Sequence, residues 1–199
     1  MNPAVLWMRH GTSDDGLCRP GAHARPGSPL TIGGAVEAEL TARELRKHSW
    51  QPTVIASSPL RRARQTAAIV ARILDTRLAE PISAFAEWRA PDCVLGRASN
   101  QYPPDYIAWR EQRARNPDSA LPGGESLRAF AERAHEAVTT AHDLAAEHGP
   151  VLIVSHRLLI GAVAGLHRAY RHPADIFNFA SDFRLAPAHL WAAPPRETT

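Results

Sequence analysis

The sequence predicts an α/β fold, a three-layer α/β/α sandwich with a mainly parallel central sheet, and places all 199 residues in one domain. Short apolar runs at 4–8, 53–56 and 151–154 have the length of strands buried on both faces. The longer segments between them repeat apolar residues every three or four positions, which indicates helices. Polar residues follow the runs directly, as they do where open α/β sheets bind ligands.

The composition is that of an ordinary soluble globular protein. Hydrophobic residues make up 44% of the chain and charged residues 22%, and the formal net charge is only +3. So small an excess gives no reason to expect a nucleic-acid partner. Lys47 is the sole lysine. The arginine excess fits either a compositional bias or a need for planar forks that grip phosphate or carboxylate.

The sequence shows no sign of export or membrane insertion. The apolar run near the start follows no basic segment and stops at Arg9, too soon for a signal peptide. The longest other apolar stretch, 158–166, is far shorter than a membrane span. Cys18 and Cys93 have no metal-ligand spacing and suit a reducing compartment. We therefore expect a cytoplasmic protein with no membrane partner.

The first half of the chain alternates loop, helix and strand. Residues 12–29 are polar and rich in glycine and proline, which predicts a long loop, and long loops in compact domains tend to be functional. A helix is predicted over 31–48, with Thr31 as its N-cap. The next helix is predicted over 58–75, with Ser58 as N-cap and the following proline in the first turn.

Arginines crowd the start of this second helix. Arg61, Arg62 and Arg64 all lie in its first turns, where cations oppose the helix dipole. Helix stability does not explain them, whereas a site that needs positive charge does.

The middle of the chain is less regular. A third strand is predicted at 82–85, and an excursion at about 86–124 contains one helix near 105–115. The excursion is either a surface segment with its own apolar cluster or a cap over the site that selects the substrate. Its aromatic residues are Trp88, Tyr102, Tyr106 and Trp109.

The last part of the chain returns to regular elements. The segment at 122–126 opens the longest predicted helix, which ends at about His148 before Gly-Pro. An apolar helix is predicted at 158–166 and edge strands at 182–185 and 189–192, with a frayed tail from residue 194. Three histidines of the long helix lack metal-ligand spacing and are expected to face solvent: His135, His142 and His148.

The polar residues at the strand ends form a pattern. Arg9 and His10 follow the first strand, Glu87 follows the third and His156 follows the last, while the second feeds the helix that bears Arg62. Parallel strands joined by right-handed crossovers bring these ends to one edge of the sheet. Core histidines scattered by chance would not all fall at that edge.

In these motifs the chain resembles the histidine phosphatase superfamily, also called the phosphoglycerate-mutase-like family. The combination of Arg-His-Gly with Ser-Ser-Pro-Leu is highly specific. The matching pieces keep the family's order from residue 5 to about 160: Arg9-His10-Gly11-Thr12-Ser13, residues 30–34, residues 57–67, Glu87, Gly123-Gly124-Glu125-Ser126 and residues 151–156.

The resemblance implies a phosphoglycerate-mutase-like fold and a role for each strand-end residue. His10 is then the nucleophile that becomes a phosphohistidine, Arg9, Arg62 and His156 surround the phosphoryl group, and Glu87 donates and accepts the proton. The residue chemistry agrees, because arginine forks and an imidazole can balance the phosphoryl charge without a metal. Nearby cations also lower the pKa of His10 and keep its ring nucleophilic. No metal and no cofactor are expected, since adjacent guanidiniums repel a divalent cation.

Four further residues are assigned to substrate binding: Thr12, Ser13, Gly16 and Arg157. Two of them depart from the family pattern. Arg157 stands where many members have glycine, so either its side chain adds a phosphate contact or only its N–H serves. Gly16 replaces a frequent asparagine, beside Asp14 and Asp15. Those carboxylates are unfavourable near an anion pocket unless they face solvent or a polar part of the substrate.

The expected function is hydrolysis of a small phosphorylated metabolite, a phosphomonoester, through a phosphohistidine intermediate. The long recognition segments of true phosphoglycerate mutases are not recognisable, which favours hydrolysis over phosphate shuttling. A mutase of the same family remains an alternative. A weakly catalytic phosphate- or phosphoprotein-binding module is a third reading, against which the complete catalytic set argues. No oligomeric state is predicted.

Overall fold

A five-stranded sheet organises the structure, a computed structural model that describes residues 4–18 and 22–193. Its strands, in chain order, are β1 (Val5–Arg9), β2 (Val54–Ser57), β3 (Arg77–Leu78), β4 (Val151–Ser155) and β5 (Leu190–Trp191). Their spatial order is β3-β2-β4-β1-β5. The first four strands run parallel and β5 is antiparallel to β1. The predicted mainly parallel sheet is thus confirmed.

The strand register brings the carboxyl ends of three strands together. Arg9 on β1 lies opposite Ser155 on β4, and Ser57 on β2 lies opposite Val154. The residues that follow each strand therefore emerge side by side at one edge of the sheet.

Helices cover both faces of this sheet. In chain order they are α1 (Asp14–Cys18), α2 (Ile32–Lys47), α3 (Arg61–Leu74), α4 (Pro104–Gln112), α5 (Leu127–His148), α6 (Arg157–His167) and α7 (Pro173–Asp182). Alternate strand residues point to opposite sides. Trp7 and Ile153 pack in one buried cluster with α5, α6 and α7, and Met8 and Leu152 pack in the other with α2 and α3. The predicted α/β/α layering is confirmed. Among the helices of the described ranges, none has both the length and the apolar character needed to cross a membrane.

The predicted N-cap is present at the start of α2 and absent at the start of α3. Thr31 caps α2 as predicted, because its Oγ1 accepts a hydrogen bond of 2.9 Å from the Gly34 N–H. Ser58, however, is not the cap of α3. The helix begins at Arg61 after Leu60, and the Ser58 hydroxyl instead turns toward the functional site.

Two predicted strands are wrong. The segment at 82–85 forms a single 3₁₀ turn, Ser83–Phe85, because the chain crosses the end of β2 there: the Ile82 N–H donates to the Ser57 carbonyl. The third strand is the exposed pair Arg77–Leu78, which has no apolar pattern to reveal it. The edge strand predicted at 182–185 is also absent, because α7 ends at Asp182.

Other boundaries differ less. The predicted loop at 12–29 contains the short helix α1, and α6 begins at Arg157, one residue before the predicted start. The edge strand at 189–192 is present as β5, and the predicted frayed tail from residue 194 lies outside the described residues. His135 and His142 on α5 are exposed as expected, whereas His148 is half-buried.

Candidate active site

His10 follows β1 and is held in one tautomer. Its backbone N–H donates to the Ser155 carbonyl at 2.9 Å, which extends the β1–β4 ladder by one residue. Its Nδ1 lies 2.7 Å from the Gly11 carbonyl oxygen. A carbonyl can only accept, so Nδ1 carries the ring proton and Nε2 presents a lone pair. The Arg62 Nε donates to this Nε2 at 3.2 Å.

The surroundings of His10 favour the neutral ring. Burial lowers its pKa well below the usual value, the nearby charges of Arg62 and Arg9 lower it further, and the Gly11 carbonyl opposes them. The side chain is only 8% exposed. The sequence predicted the effect of the cations correctly, but burial is the larger cause.

Arg62 lies in the first turn of α3 and is 3% exposed. Besides its bond to His10, its Nη1 donates to the Arg25 carbonyl at 3.1 Å. Thr66, one turn further along, accepts from the Gly11 N–H at 3.1 Å and donates to the Arg62 carbonyl. These bonds fix the start of α3 against the loop that bears His10 and account for a cation at a helix N-terminus.

His156 and Arg9 carry buried polar atoms that lack partners within the described residues. His156 is fully buried, its ring centroid lies 4.9 Å from that of His10, and its Nε2 lies 2.7 Å from the Ser58 Oγ. Burial, followed by Arg62, lowers the pKa of His156 well below its usual value. The His156 Nδ1 and the Arg9 Nε have no hydrogen-bond partner in the described protein. Buried polar atoms without a hydrogen-bond partner mark a place for a ligand that accepts hydrogen bonds.

Glu87 lies at the N-terminus of α6. Its Oε1 accepts hydrogen bonds from the Trp88 and Leu159 N–H groups at 3.0 and 3.2 Å, and its Oε2 accepts one from Leu158 at 3.2 Å. Its charge acts on Arg9 and Arg62, since it opposes the effect of burial on the pKa of each guanidinium. The carboxylate is therefore fixed beside the cationic pocket.

The Arg157 side chain reaches the end of α7. Its Nη1 donates to the carbonyls of Ala180, Ser181 and Phe183 at 3.0 to 3.2 Å, which caps the helix. Arg157 also borders the cavity described below. Its Nη1 is thus committed to the protein.

Thr12 connects the loop that follows His10 to α2. Its N–H and its hydroxyl donate to the two carboxylate oxygens of Glu37, each at 2.8 Å. Its carbonyl accepts from the N–H and the Oγ1 of Thr31 at 2.9 and 3.1 Å. These contacts are structural. Of the other predicted binding residues, Ser13 and Gly16 border the cavity.

The two acidic residues beside Gly16 have different environments. Asp14 is exposed, whereas Asp15 is buried and accepts three hydrogen bonds from Arg25, through its backbone N–H, Nε and Nη2. The bond to Nη2 is 2.6 Å long and joins the two residues in an ion pair. This pair ties together the loop whose Arg25 carbonyl accepts from Arg62.

A cavity of about 600 Å³ opens above these groups. Its floor contains Arg9, His10, Arg62 and Glu87, and its walls include His23, Trp88, Arg89, Asp92 and Leu95. Burial lowers the pKa of His23 to about 4, aided by the charges of Arg113 and Arg157.

The remaining aromatic residues of the excursion pack against one another. Tyr106 is buried between Tyr102 and Trp109, and Trp109 stacks on Trp88 with ring centroids 6.5 Å apart. Of these four aromatic residues, Trp88 alone is among the described residues that line the cavity.

Sequence reasoning missed one residue pair, Glu125 and Arg133, which also borders the cavity. The sequence places Glu125 in the Gly-Gly-Glu-Ser motif without indicating a role for it. Arg133 carried a readable signal, because it lies three residues after Phe130 and four before Ala137, on the buried stripe of α5. A charged residue on such a stripe needs a buried partner.

Comparison with known proteins agrees with this geometry. The model of the histidine phosphatase superfamily (branch 1) matches residues 5–181. The chain belongs to the histidine phosphatase superfamily. A relative from Yersinia pestis (strain Pestoides F), named probable phosphoglycerate mutase GpmB, is 31% identical over 166 residues, which are 80% of this chain and 72% of that protein.

Solved structures show the same superfamily fold. A mycobacterial glucosyl-3-phosphoglycerate phosphatase in complex with VO3 aligns with a TM-score of 0.73 at 24% identity, over 94% of this chain and 88% of that one. The α-ribazole phosphatase from Shigella flexneri aligns with a TM-score of 0.71 at 20% identity, over 94% and 87%. At these identities the likeness concerns the fold.

Proposed function

We propose that this chain is a metal-independent phosphomonoesterase that acts through a phosphohistidine at His10 Nε2. The observation that carries the proposal is the fixed tautomer of His10, whose Nδ1 faces the Gly11 carbonyl while Nε2 faces Arg62. A neutral imidazole with an unprotonated Nε2, set among cations, is what attack on a phosphate ester requires.

In the first step the Nε2 lone pair attacks phosphorus and a P–N bond forms. The ester P–O bond breaks, its electron pair stays on the leaving oxygen, and a protonated Glu87 donates the proton that makes the alcohol. Arg62, Arg9 and His156 supply the N–H groups that balance the charge on the phosphoryl oxygens. The Arg9 Nε and the His156 Nδ1 support this role, because no described residue satisfies them.

In the second step a water molecule attacks the phosphohistidine. The Glu87 carboxylate takes a proton from this water, the P–N bond breaks, and its electron pair returns to Nε2. Inorganic phosphate leaves, and the enzyme returns to its starting protonation state.

Turnover quenched in alkali, followed by peptide mapping at high pH, tests the covalent step. We expect an acid-labile, base-stable phosphoryl adduct on the peptide that contains His10. His10→Ala should lower kcat by about 10⁴-fold or more, as for loss of a nucleophile. Retention of substantial activity by this variant would refute the mechanism.

Chelation and vanadate test the rest of the chemistry. Turnover should survive exhaustive treatment with a chelator, because the phosphoryl charge is balanced by arginines. Vanadate should inhibit strongly, since it resembles the trigonal transition state. A requirement for added Mg²⁺ or Zn²⁺ would contradict the proposal.

A phosphomutase is the second candidate, favoured by the name of the 31% identical relative. A mutase returns the phosphoryl group to its substrate instead of releasing it. Starting from the phosphorylated enzyme, we expect free phosphate to appear even when glycerate acceptors are present. Transfer of most of the phosphoryl group to an acceptor would favour the mutase. Absence of turnover with any ester would favour a binding module.

A further inference from the structure

Glu87 is carried by a segment with little structure of its own. The chain from Ala86 to Pro91 belongs to no helix or strand, and one 3₁₀ turn precedes it. A catalytic acid must nevertheless stay within hydrogen-bonding reach of the leaving oxygen. The groups that fix this segment therefore matter for the proposed reaction.

Arg133 on α5 fixes the segment from one side. Its Nη1 donates to the carbonyls of Ala84 and Ala86 at 3.2 and 2.6 Å, and its Nη2 donates to the carbonyl of Glu87 itself at 3.2 Å. Three carbonyls within four residues are thus held by one guanidinium.

Glu125 holds both Arg133 and the other end of the segment. Its carboxylate binds Arg133 in a bidentate manner, with Nε–Oε1 at 2.8 Å and Nη2–Oε2 at 2.7 Å. Its Oε2 also accepts from the Arg89 N–H at 3.2 Å, its own N–H donates to the Arg89 carbonyl at 2.8 Å, and its carbonyl accepts from the Trp88 Nε1 at 3.0 Å. Glu87 therefore lies between two anchored points.

We propose that the Glu125–Arg133 pair is a positioning device that aims the Glu87 carboxylate at the leaving oxygen, an inference that rests on the proposed function. The side chains of the pair are 8% and 17% exposed. Burying two charges costs desolvation that apolar residues of the same size avoid, so packing alone does not account for them. The planar guanidinium gives direction, since its fork can hold the carboxylate and the carbonyls at once.

The leaving group distinguishes positioning from general support. An alkyl phosphate releases a strongly basic alkoxide and needs the proton from Glu87, whereas p-nitrophenyl phosphate releases a stable phenolate without it. A variant that misplaces Glu87 should therefore slow glycerol phosphate far more than p-nitrophenyl phosphate. A variant that merely loosens the protein should slow both alike.

We would compare kcat/KM for both esters in wild type, Arg133→Lys, Glu125→Gln and Glu87→Gln. Arg133→Lys keeps the charge but cannot hold the carboxylate and three carbonyls together. It should lower kcat/KM for glycerol phosphate by about 10²-fold, the size of effect expected from general acid catalysis or from misplacement by about 1 Å. The loss with p-nitrophenyl phosphate should stay below roughly threefold, as for a group that supports proton transfer alone. Glu125→Gln, which keeps the shape of the side chain, should show the same selectivity to a smaller extent.

A matched control lies on the same helix. Arg128 pairs with Asp118 on the exposed surface, and it is not among the described residues that line the cavity. Arg128→Lys should therefore leave kcat/KM for both esters unchanged. The double variant Arg133→Lys/Glu87→Gln should lose little more than Glu87→Gln alone with glycerol phosphate, because both changes remove the same proton transfer.

The outcomes separate the two proposals. The positioning role would be overturned if the wild type is active but Arg133→Lys and Glu125→Gln lose equally with both esters. Additive losses in the double variant would also overturn it. Either result would leave the proposed phosphatase activity intact. A wild type that releases no phosphate from either ester would overturn the proposed function and this inference with it. Selective, non-additive losses would support both.

Discussion

Two adjacent glycines at the start of α2 should respond to alanine in opposite directions. A Cβ on Gly34 would lie 2.0 Å from the Thr12 carbonyl oxygen, far inside the 3.4 Å at which ordinary contact begins. That oxygen cannot retreat cheaply, because it accepts two hydrogen bonds from Thr31. A Cβ on Gly33 meets nothing closer than the Thr31 Oγ1 at 3.7 Å.

The expected magnitudes follow from these contacts. Gly34→Ala overpacks a backbone contact and should lower the free energy of unfolding by at least about 1–3 kcal/mol. Gly33→Ala removes only backbone freedom from the unfolded chain and should raise it by about 0.4–1 kcal/mol. Gly34→Ala should also displace the loop that carries His10, and a shift of about 1 Å costs on the order of 10²-fold in rate.

Urea denaturation of both variants, with phosphate release measured on the folded proteins, provides the assay. The two free energies should fall on opposite sides of wild type, and only Gly34→Ala should lose activity. If Gly34→Ala is as stable and as active as wild type, the close approach between α2 and the loop that follows His10 does not exist as described. A shift of both variants in the same direction would also refute the reasoning.

Three further predictions concern pH and specificity. Because the pKa of His23 falls to about 4 on folding, the unfolded chain binds one more proton than the folded chain between pH 6.5 and 4. The free energy of unfolding should therefore fall by up to about 3 kcal/mol on acidification through this range. Urea titrations of His23→Gln should show a smaller loss. Since the pKa of His10 lies well below its usual value, kcat/KM should not fall through protonation of His10 as the pH drops to 6. A fall there that persists in Glu87→Gln would contradict the lowered pKa of His10. If the excursion at 86–124 selects the substrate, Asp92→Asn, at the cavity wall, should change relative kcat/KM by about 1–3 kcal/mol between esters that carry a second anionic group and esters that do not. Trp109→Ala, which removes a stacking partner of Trp88, should slow all esters alike.

Much of the fold could be predicted because β2 and β4 are fully buried and β1 is buried at Trp7 and Met8. The runs that form β1, β2 and β4 carry continuous apolar sequence and end in polar residues, which marks both the strands and the edge of the sheet that bears the candidate site. The third strand, Arg77–Leu78, has two exposed residues, so only its partner defines it. The prediction contains no element over 173–181, although the buried residues Ile176, Phe177 and Ala180 of α7 have helical spacing.

Some residues of the candidate site could likewise be predicted from the sequence, and others could not. Residues that directly follow strands, such as His10 and His156, could be placed because topology alone brings strand ends together. The role of Arg133 depends on carbonyls about 46 to 49 residues away in the chain. Backbone acceptors leave no mark on the sequence. The side-chain direction of Arg157 was equally unreadable, because it depends on the end of a helix that had not been predicted.

The position of β1 in the sheet has a consequence for the newly made chain. The first of the five strands in chain order pairs with β4 and β5, the last two, and the Arg9 guanidinium donates to a carbonyl 176 residues further on. Contacts so distant in sequence form late in folding. We therefore expect the groups of the candidate site to stay unassembled on a nascent chain until β4 and Leu185 have been made, so that the proposed chemistry begins only after that point.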